Sequence, residues 1–571
     1  MGLSLTRSRS STEKKEKDQE GRADVEAVVE DLEFTEKGEH GTKRHLSPRV
    51  VSMIAIAGTI GTGLFLNSGA ALALGGPVGA WLGYTLMGIL VGMMMYCLGE
   101  ILLVSRSTSR KVQRGRAGGR HTRFARLLTR RSCYSPTVGA FTEWGSVFVE
   151  PAFGFAIGFN YVLMIGMALA SELSAFAILI GYWDKDASHI GAYITVGLVV
   201  CLLLNVVGVK YYGEVEFFFA WVKVLTLIGL VIFGIIVNVG GVPSNREYIG
   251  GRYWRTEPWN DTFMDLKPVG KARFLGFWAV LTRASFSFGG VEAVAVIAGE
   301  AHNPRRSIRL ATRAVFYRVV GIYVLTMLII GLNIDQHSPD LLRGVEDSDG
   351  TAASSPFVII AEQAKVKVLP EIINAVVITA AFSAANEDMY AVSRTVLALA
   401  KHGGIPRWFL RTSKQGIPIG GVIVAFCFGC LAYLSCGGDG ANQAFIWLSN
   451  LTALGDLICW VAICYCYTRF YKALEIQGIN RRNLTLRGWC QPYMAWICFW
   501  FFSIIILFNG FTSFINGFKG ADFVAAYLTL PLVLLAYLWD TIWRRSKVVD
   551  LNEVDLSGGP RAALKGTRYD K

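Results

Sequence analysis

Apolar residues fall into twelve runs of about bilayer-spanning length, near 50–72, 78–99, 152–182, 190–209, 217–239, 273–297, 314–333, 366–400, 418–435, 444–468, 493–515 and 523–543. About twenty apolar residues cross the ~30 Å hydrocarbon core as a helix. The pattern predicts an all-α polytopic membrane protein with 12 transmembrane helices. The eighth run carries Glu387, Asp388 and Arg394, which blurs its inner boundary. Two runs contain glycine interruptions, IAGTIGTGLF at 56–65 in the first and SFSFGGVEAV at 285–294 in the sixth. A helix broken inside a membrane exposes backbone N–H and C=O groups, tolerated only where they line a cavity. Such a pair of interrupted segments points to the binding site of a secondary transporter.

Composition agrees: 53% of 571 residues are apolar, too many for a soluble multi-domain chain. Residues 1–45 are polar and charged and read as a disordered tail, with no cleavable signal peptide. Residues 46–545 form the transmembrane domain and 546–571 a second tail. Eleven cysteines are scattered, mostly within apolar runs, so they read as small packing residues.

Loop charge sets the expected orientation. Arg305, Arg306, Arg309 and Arg313, then Lys401, Arg407, Arg411 and Lys414, then Arg469, Lys472, Arg481, Arg482 and Arg487, and finally Arg544, Arg545 and Lys547 all fall on one side. The opposite connection 334–361 holds five acids against Arg343. This positive-inside asymmetry places both termini in the cytoplasm. The sequon Asn260-Asp261-Thr262 then lies outside, as a candidate glycosylation site or a chance match.

The formal charge of +13 does not imply nucleic acid. Segment 101–134 holds ten Arg and Lys and no acid, and removing it leaves +3. As a translated loop it would touch anionic lipid. Its composition differs from its flanks: MMMYCLGE ends at 100 and YSPTVGAFTEWG resumes at 134. Val104-Ser105 is compatible with an in-frame GTAAGT splice donor, so the segment reads as a retained intron.

The runs HLSPRVVSMIAIAGTIGTGLF, YCLGE, NVVGVKYYGEVEF, FSFGGVEAVAVIAGEAHNPRRSI, AVSRTVLALA and WLSNLTAL resemble the fungal amino-acid permeases of the amino acid–polyamine–organocation superfamily. The resemblance covers nearly all of 45–545 except the insert. It implies a 5+5 inverted repeat with broken first and sixth helices plus two extra helices, and proton-coupled uptake of amino acids at the plasma membrane. NVVGVKYYGEVEF with GRYWR at 251–255 is similar to the dicarboxylic amino-acid permease subgroup.

At the first break, Gly61, Thr62 and Gly63 let the backbone unwind and offer N–H groups to an α-carboxylate. Alternatively Gly58, Gly61 and Gly63 only allow close helix packing. At the second, Ser287, Phe288, Gly289 and Gly290 would turn carbonyls to an ammonium, with Phe286 or Phe288 as an aromatic lid or as ordinary packing. Ionisable groups within spans are functional candidates. Glu292 occupies the acid position of the family's GGxE motif, and Lys223 matches the lysine that stands where sodium-coupled relatives place a cation. Both are proton-coupling candidates or fixed structural pairs, and Glu172 matches a family acid facing the cavity. Glu100 and Glu300 suit loop or gate pairing. Arg283, Glu387 and Asp456 depart from the family pattern; Arg283 either pairs with Asp456 at the outer vestibule or receives an acidic substrate.

No phosphate-cradling GxxxxGK[ST], HExxH or nucleophile elbow occurs, so neither ATP-driven transport nor an enzyme is expected. The expected coupling ion is the proton, with no cofactor and no metal. Expected partners are an amino-acid substrate, the lipid bilayer and, through Lys14, Lys15 and Lys17, a ubiquitin ligase. A non-transporting amino-acid sensor and a polyamine or other amine transporter remain as alternatives on the same scaffold.

Overall fold

The computed structural model describes Met53 and residues 60–116, 143–184, 186–207, 209–297, 304–346, 355–436, 441–481, 486–552 and 554. Expectations placed on Gly58, Glu300, the lysines of residues 1–45 and the insert beyond residue 116 lie outside them. All regular structure among the described residues is helical. The principal helices are α1 (Thr62–Phe65), α2 (Asn67–Arg116), α3 (Pro151–Ile180), α4 (Ile190–Val207), α5 (Val209–Asn238), α6 (Val269–Phe288), α7 (Pro304–Arg318), α8 (Leu325–Asn333), α9 (Leu369–Lys401), α10 (Ile419–Gly429), α11 (Ala441–Ile476), α12 (Tyr493–Leu507), α13 (Gly520–Tyr527) and α14 (Thr529–Arg544).

Nine helices among the described residues are long and apolar enough to cross a bilayer, and the pair α13 and α14, bent by 45°, makes up to ten. Two of the expected twelve runs are outside this count: the first, 50–72, lies largely outside the described residues, and the seventh is not one long helix. Within α2 the chain is interrupted at Gly76 (φ 72°). A Cβ there would lie 2.8 Å from the Asn260 nitrogen, so glycine alone suits the turn. The seventh run divides at a π-helical stretch, Val319–Val324, between α7 and α8.

The layout separates a packed interior from a lipid-facing rim. α3 packs mainly against α9 and α11, and α6 against α2. The most apolar part of α3 is 72% buried, against 28% for α4, which places α3 centrally and α4 at the edge. Large apolar side chains on the rim, including Ile89, Leu203, Phe218, Leu225, Leu535 and Ile542, are exposed. Such a surface is stable against hydrocarbon and costly against water.

Asn260 is packed inward. Its side-chain nitrogen donates to the Ala73 carbonyl (2.7 Å) and the residue is buried. A glycan on that nitrogen is incompatible with this packing, which overturns the glycosylation candidate.

Candidate functional site

Both breaks occur where the glycines fall. Gly61 is non-helical (φ −107°, ψ −148°), four helical residues follow, and Leu66 bends the chain before α2. At the other break, α6 stops at Phe288, Gly289 turns extended, and Gly290 is left-handed (φ 75°) before a short 3-10 turn, Val291–Ala293. The breaks touch. Ser287 Oγ donates to the Gly63 carbonyl (2.7 Å) and shares a 2.8 Å hydrogen bond with the Tyr84 hydroxyl. A Cβ on Gly63 would sit 2.9 Å from Ser287 Cα. Gly63 and Ser287 therefore act as a structural tie between the two broken helices.

The freed Thr62 amide is already engaged by the protein. Its N–H donates to both oxygens of Glu172 (3.1 and 3.2 Å), and the Thr62 hydroxyl adds a bond to Oε1 (3.0 Å). A Cβ on Gly61 would collide with the same carboxylate. Glu172 thus occupies the place expected for a substrate carboxylate. An anion there gains charge-assisted hydrogen bonds that hydrocarbon-buried amides otherwise lack.

A cavity opens at the breaks. Its walls include Glu172 from α3, Phe286, Gly289 and Gly290 from the second break, Glu387 and Asp388 from α9, and Thr452 and Asp456 from α11. Of the two phenylalanines, Phe286 lines the cavity. Phe288 is fully buried and stacked on Tyr323 (4.6 Å between ring centres).

The expected pairing of Arg283 with Asp456 is not formed. Arg283 Nη1 donates to Asn450 Oδ1 (3.4 Å), whereas Asp456 faces the second break, where a Cβ on Gly289 would strike its carboxylate. Asn450 and Asp456 are six residues apart, about 9 Å along a helix, so one helix presents them at different depths. Glu292 is fully buried and accepts the Trp460 indole N–H (3.1 Å); it lies behind the break and is not part of the cavity wall.

Lys223 is fully buried, with Glu216, Glu387, Glu172 and Asp388 within electrostatic range. Glu216 is a site residue that the sequence analysis does not name. Its carboxylate accepts from Ser383 Oγ (2.6 Å) and Asn386 Nδ2 (2.7 Å), and Asn205 donates in turn to Asn386 (2.9 Å). One signal marks it: Glu216 and Lys223 are seven residues apart, two helical turns on one face. Toward the helix end beyond this network, Tyr212 and Tyr390 stack at 4.4 Å and the Arg394 guanidinium lies 4.0 Å over Tyr390.

Glu100 shows the loop pairing expected of it. Arg481 holds its carboxylate through two nitrogens (2.5 and 3.0 Å), and the Gly488 amide adds a third donor (3.0 Å). Outside the spans, His402 follows α9 beside Lys401 and Arg544, and Arg544 donates to its carbonyl (3.0 Å). Burial, with repulsion from those two cations, pushes the His402 imidazole down to about 4.

Residues 50–109 and 124–553 match the amino acid permease family, leaving 110–123, within the basic insert, unmatched. A proline-specific permease of Emericella nidulans is 36% identical over 91% of this chain and 88% of its own length. The dicarboxylic amino acid permease of Saccharomyces cerevisiae is 33% identical over 90% of this chain and 79% of its own. The basic amino-acid permease of that yeast is also 33% identical, over 94% and 87%. Identity this even across neutral, acidic and basic names does not single out a substrate.

Proposed function

Because the chain belongs to the amino acid permease family, we propose that it is a proton-coupled secondary transporter importing amino acids across the plasma membrane by alternating access. The observation that carries this reading is the meeting of two broken helices at one cavity, with Glu172 bound to the Thr62 amide. As a carboxylate, Glu172 competes with a substrate carboxylate for that amide. A proton on Glu172 removes the charge that strengthens its bonds and releases the amide to the incoming amino acid. Protonation and substrate entry then favour each other, which is the thermodynamic content of symport.

Lys223 and Glu292 suit supporting roles. Lys223 balances the acids around it, so a change of charge on Glu172, Glu216, Glu387 or Asp388 alters its field. Glu292 anchors the stretch after the second break to α11 through Trp460. The positive loops support a topology with both termini in the cytoplasm.

Uptake of labelled amino acids into a permease-deficient host, with and without an imposed proton gradient, tests the reading. Gradient-dependent accumulation is expected. Saturable binding without accumulation would replace the transporter by a sensor, and accumulation of amines alone would replace the substrate. The segment 101–134 is proposed to be a retained intron, supported by the family match skipping 110–123. A mature transcript that still encodes it would refute this.

A further inference from the structure

The cavity wall is strongly one-signed. Glu172, Glu387, Asp388 and Asp456 line it, and no Lys, Arg or His does so among the described residues. These acids are not equally compensated. Glu172 is held by the Thr62 amide and hydroxyl. Glu387 and Asp388 lie in the field of Lys223, shared with Glu216 and Glu172.

Asp456 has less support. It is 1% exposed, and no side chain among the described residues gives it a hydrogen bond. The Gly290 amide faces it from the second break, but the charged groups around it, Glu292 and Asp388, are both acids. A carboxylate buried without a cation beside it is unfavourable and is relieved either by a proton or by a positive group; a ligand cation entering the cavity supplies the latter. Arg283, the cation nearest in sequence to the second break, bonds to Asn450 instead.

We propose that this cavity selects a cationic substrate, a dibasic amino acid, and that Asp456 receives one of its two positive groups. The proposal rests on the transport reading for its context but not for its test. A zwitterion brings no net charge to a wall of four acids, and an acidic amino acid adds another negative charge. Lysine or arginine adds one positive charge, worth most where the dielectric is low. The similarity of GRYWR to dicarboxylic permeases implies the opposite preference, so the two readings separate by experiment.

The purified full-length protein is first titrated with lysine, arginine, leucine, glutamate and putrescine, reading the thermal unfolding midpoint. The same compounds, labelled, are then offered to proteoliposomes. Lysine and arginine are expected to raise the midpoint and to be transported with kcat/KM at least about tenfold above leucine, the scale of one charge-assisted hydrogen bond. Asp456→Asn is expected to lower lysine kcat/KM about tenfold or more and so to shrink the preference for lysine over leucine. Asp456→Glu, which keeps the charge, retains the preference and controls for folding. A midpoint raised by lysine with no accumulation of any compound would sink the transport reading and support this one. Glutamate or leucine preferred over lysine would overturn the proposal, as would equal losses for lysine and leucine in Asp456→Asn. Putrescine transported without lysine would also overturn it, in favour of an amine lacking a carboxylate.

Discussion

Glu172→Gln isolates the charge at the first break while keeping the side chain's shape. In the wild type the carboxylate accepts two bonds from the Thr62 amide at 3.1 and 3.2 Å and one from the hydroxyl at 3.0 Å. Glutamine retains one acceptor oxygen and places an NH₂ where the second oxygen faced the amide. Hydrogen bonds to a charged group contribute about 1.5–3 kcal/mol and neutral ones about 0.5–1.5. The break is therefore expected to lose about 1–2 kcal/mol of support, well short of unfolding the protein. The functional effect is larger in kind. With no proton to exchange at Thr62, substrate counterflow between equal pools persists, while gradient-driven accumulation falls to the equilibrium level. The assay pairs counterflow with accumulation in one proteoliposome preparation, and unfolding in detergent reports stability. Accumulation of substrate by Glu172→Gln above equilibrium, under a proton gradient, would refute the coupling argument.

Arg481→Ala removes the cation paired with the fully buried Glu100 and leaves neutral donors such as the Gly488 amide, so a loss of about 3–5 kcal/mol is expected. Adding Glu100→Gln should recover part of it in the same unfolding assay; no recovery would mean that Arg481 acts through other contacts. Gly63→Ala places a Cβ 2.9 Å from Ser287 Cα; overpacking of this kind costs about 1–3 kcal/mol, and uptake should fall with unchanged surface expression. His402 is held down to about 4, so the folded state binds fewer protons than the unfolded state below pH ~6.5. Its contribution is intact above pH ~6.5 and is lost as pH falls toward 4, about 1–2 kcal/mol by pH 5. His402→Gln should flatten this slope in melts at pH 7 and pH 5; an unchanged slope would assign the acid sensitivity elsewhere.

Much of the architecture was legible along the chain because its causes are local. Glycine clusters at 61–63 and 289–290 break helices through backbone freedom, and both breaks appear there. A sequon such as that at Asn260 is read from three residues, whereas its fate depends on Ala73, 187 positions away. Arg283 and Asp456 carry opposite signs that suggest a pair along the chain, but α6 and α11 present them at different depths. Glu216 is not legible in the sequence because its partners Ser383 and Asn386 are some 170 positions distant.

Sequence alone determined that this chain is a helical membrane protein, that its first and sixth apolar runs break, and which residues carry charge inside the spans. Each of those follows from hydropathy summed over about twenty neighbours or from glycine at a given position. Tertiary structure decided what the charges do. It sent Glu172, 110 positions along the chain, to the Thr62 amide, put Phe286 rather than Phe288 on the cavity, and left Asp456 facing a break with acids around it. Electrostatic partnership depends on separations of a few ångströms across different helices, and that distance is set only when the bundle packs.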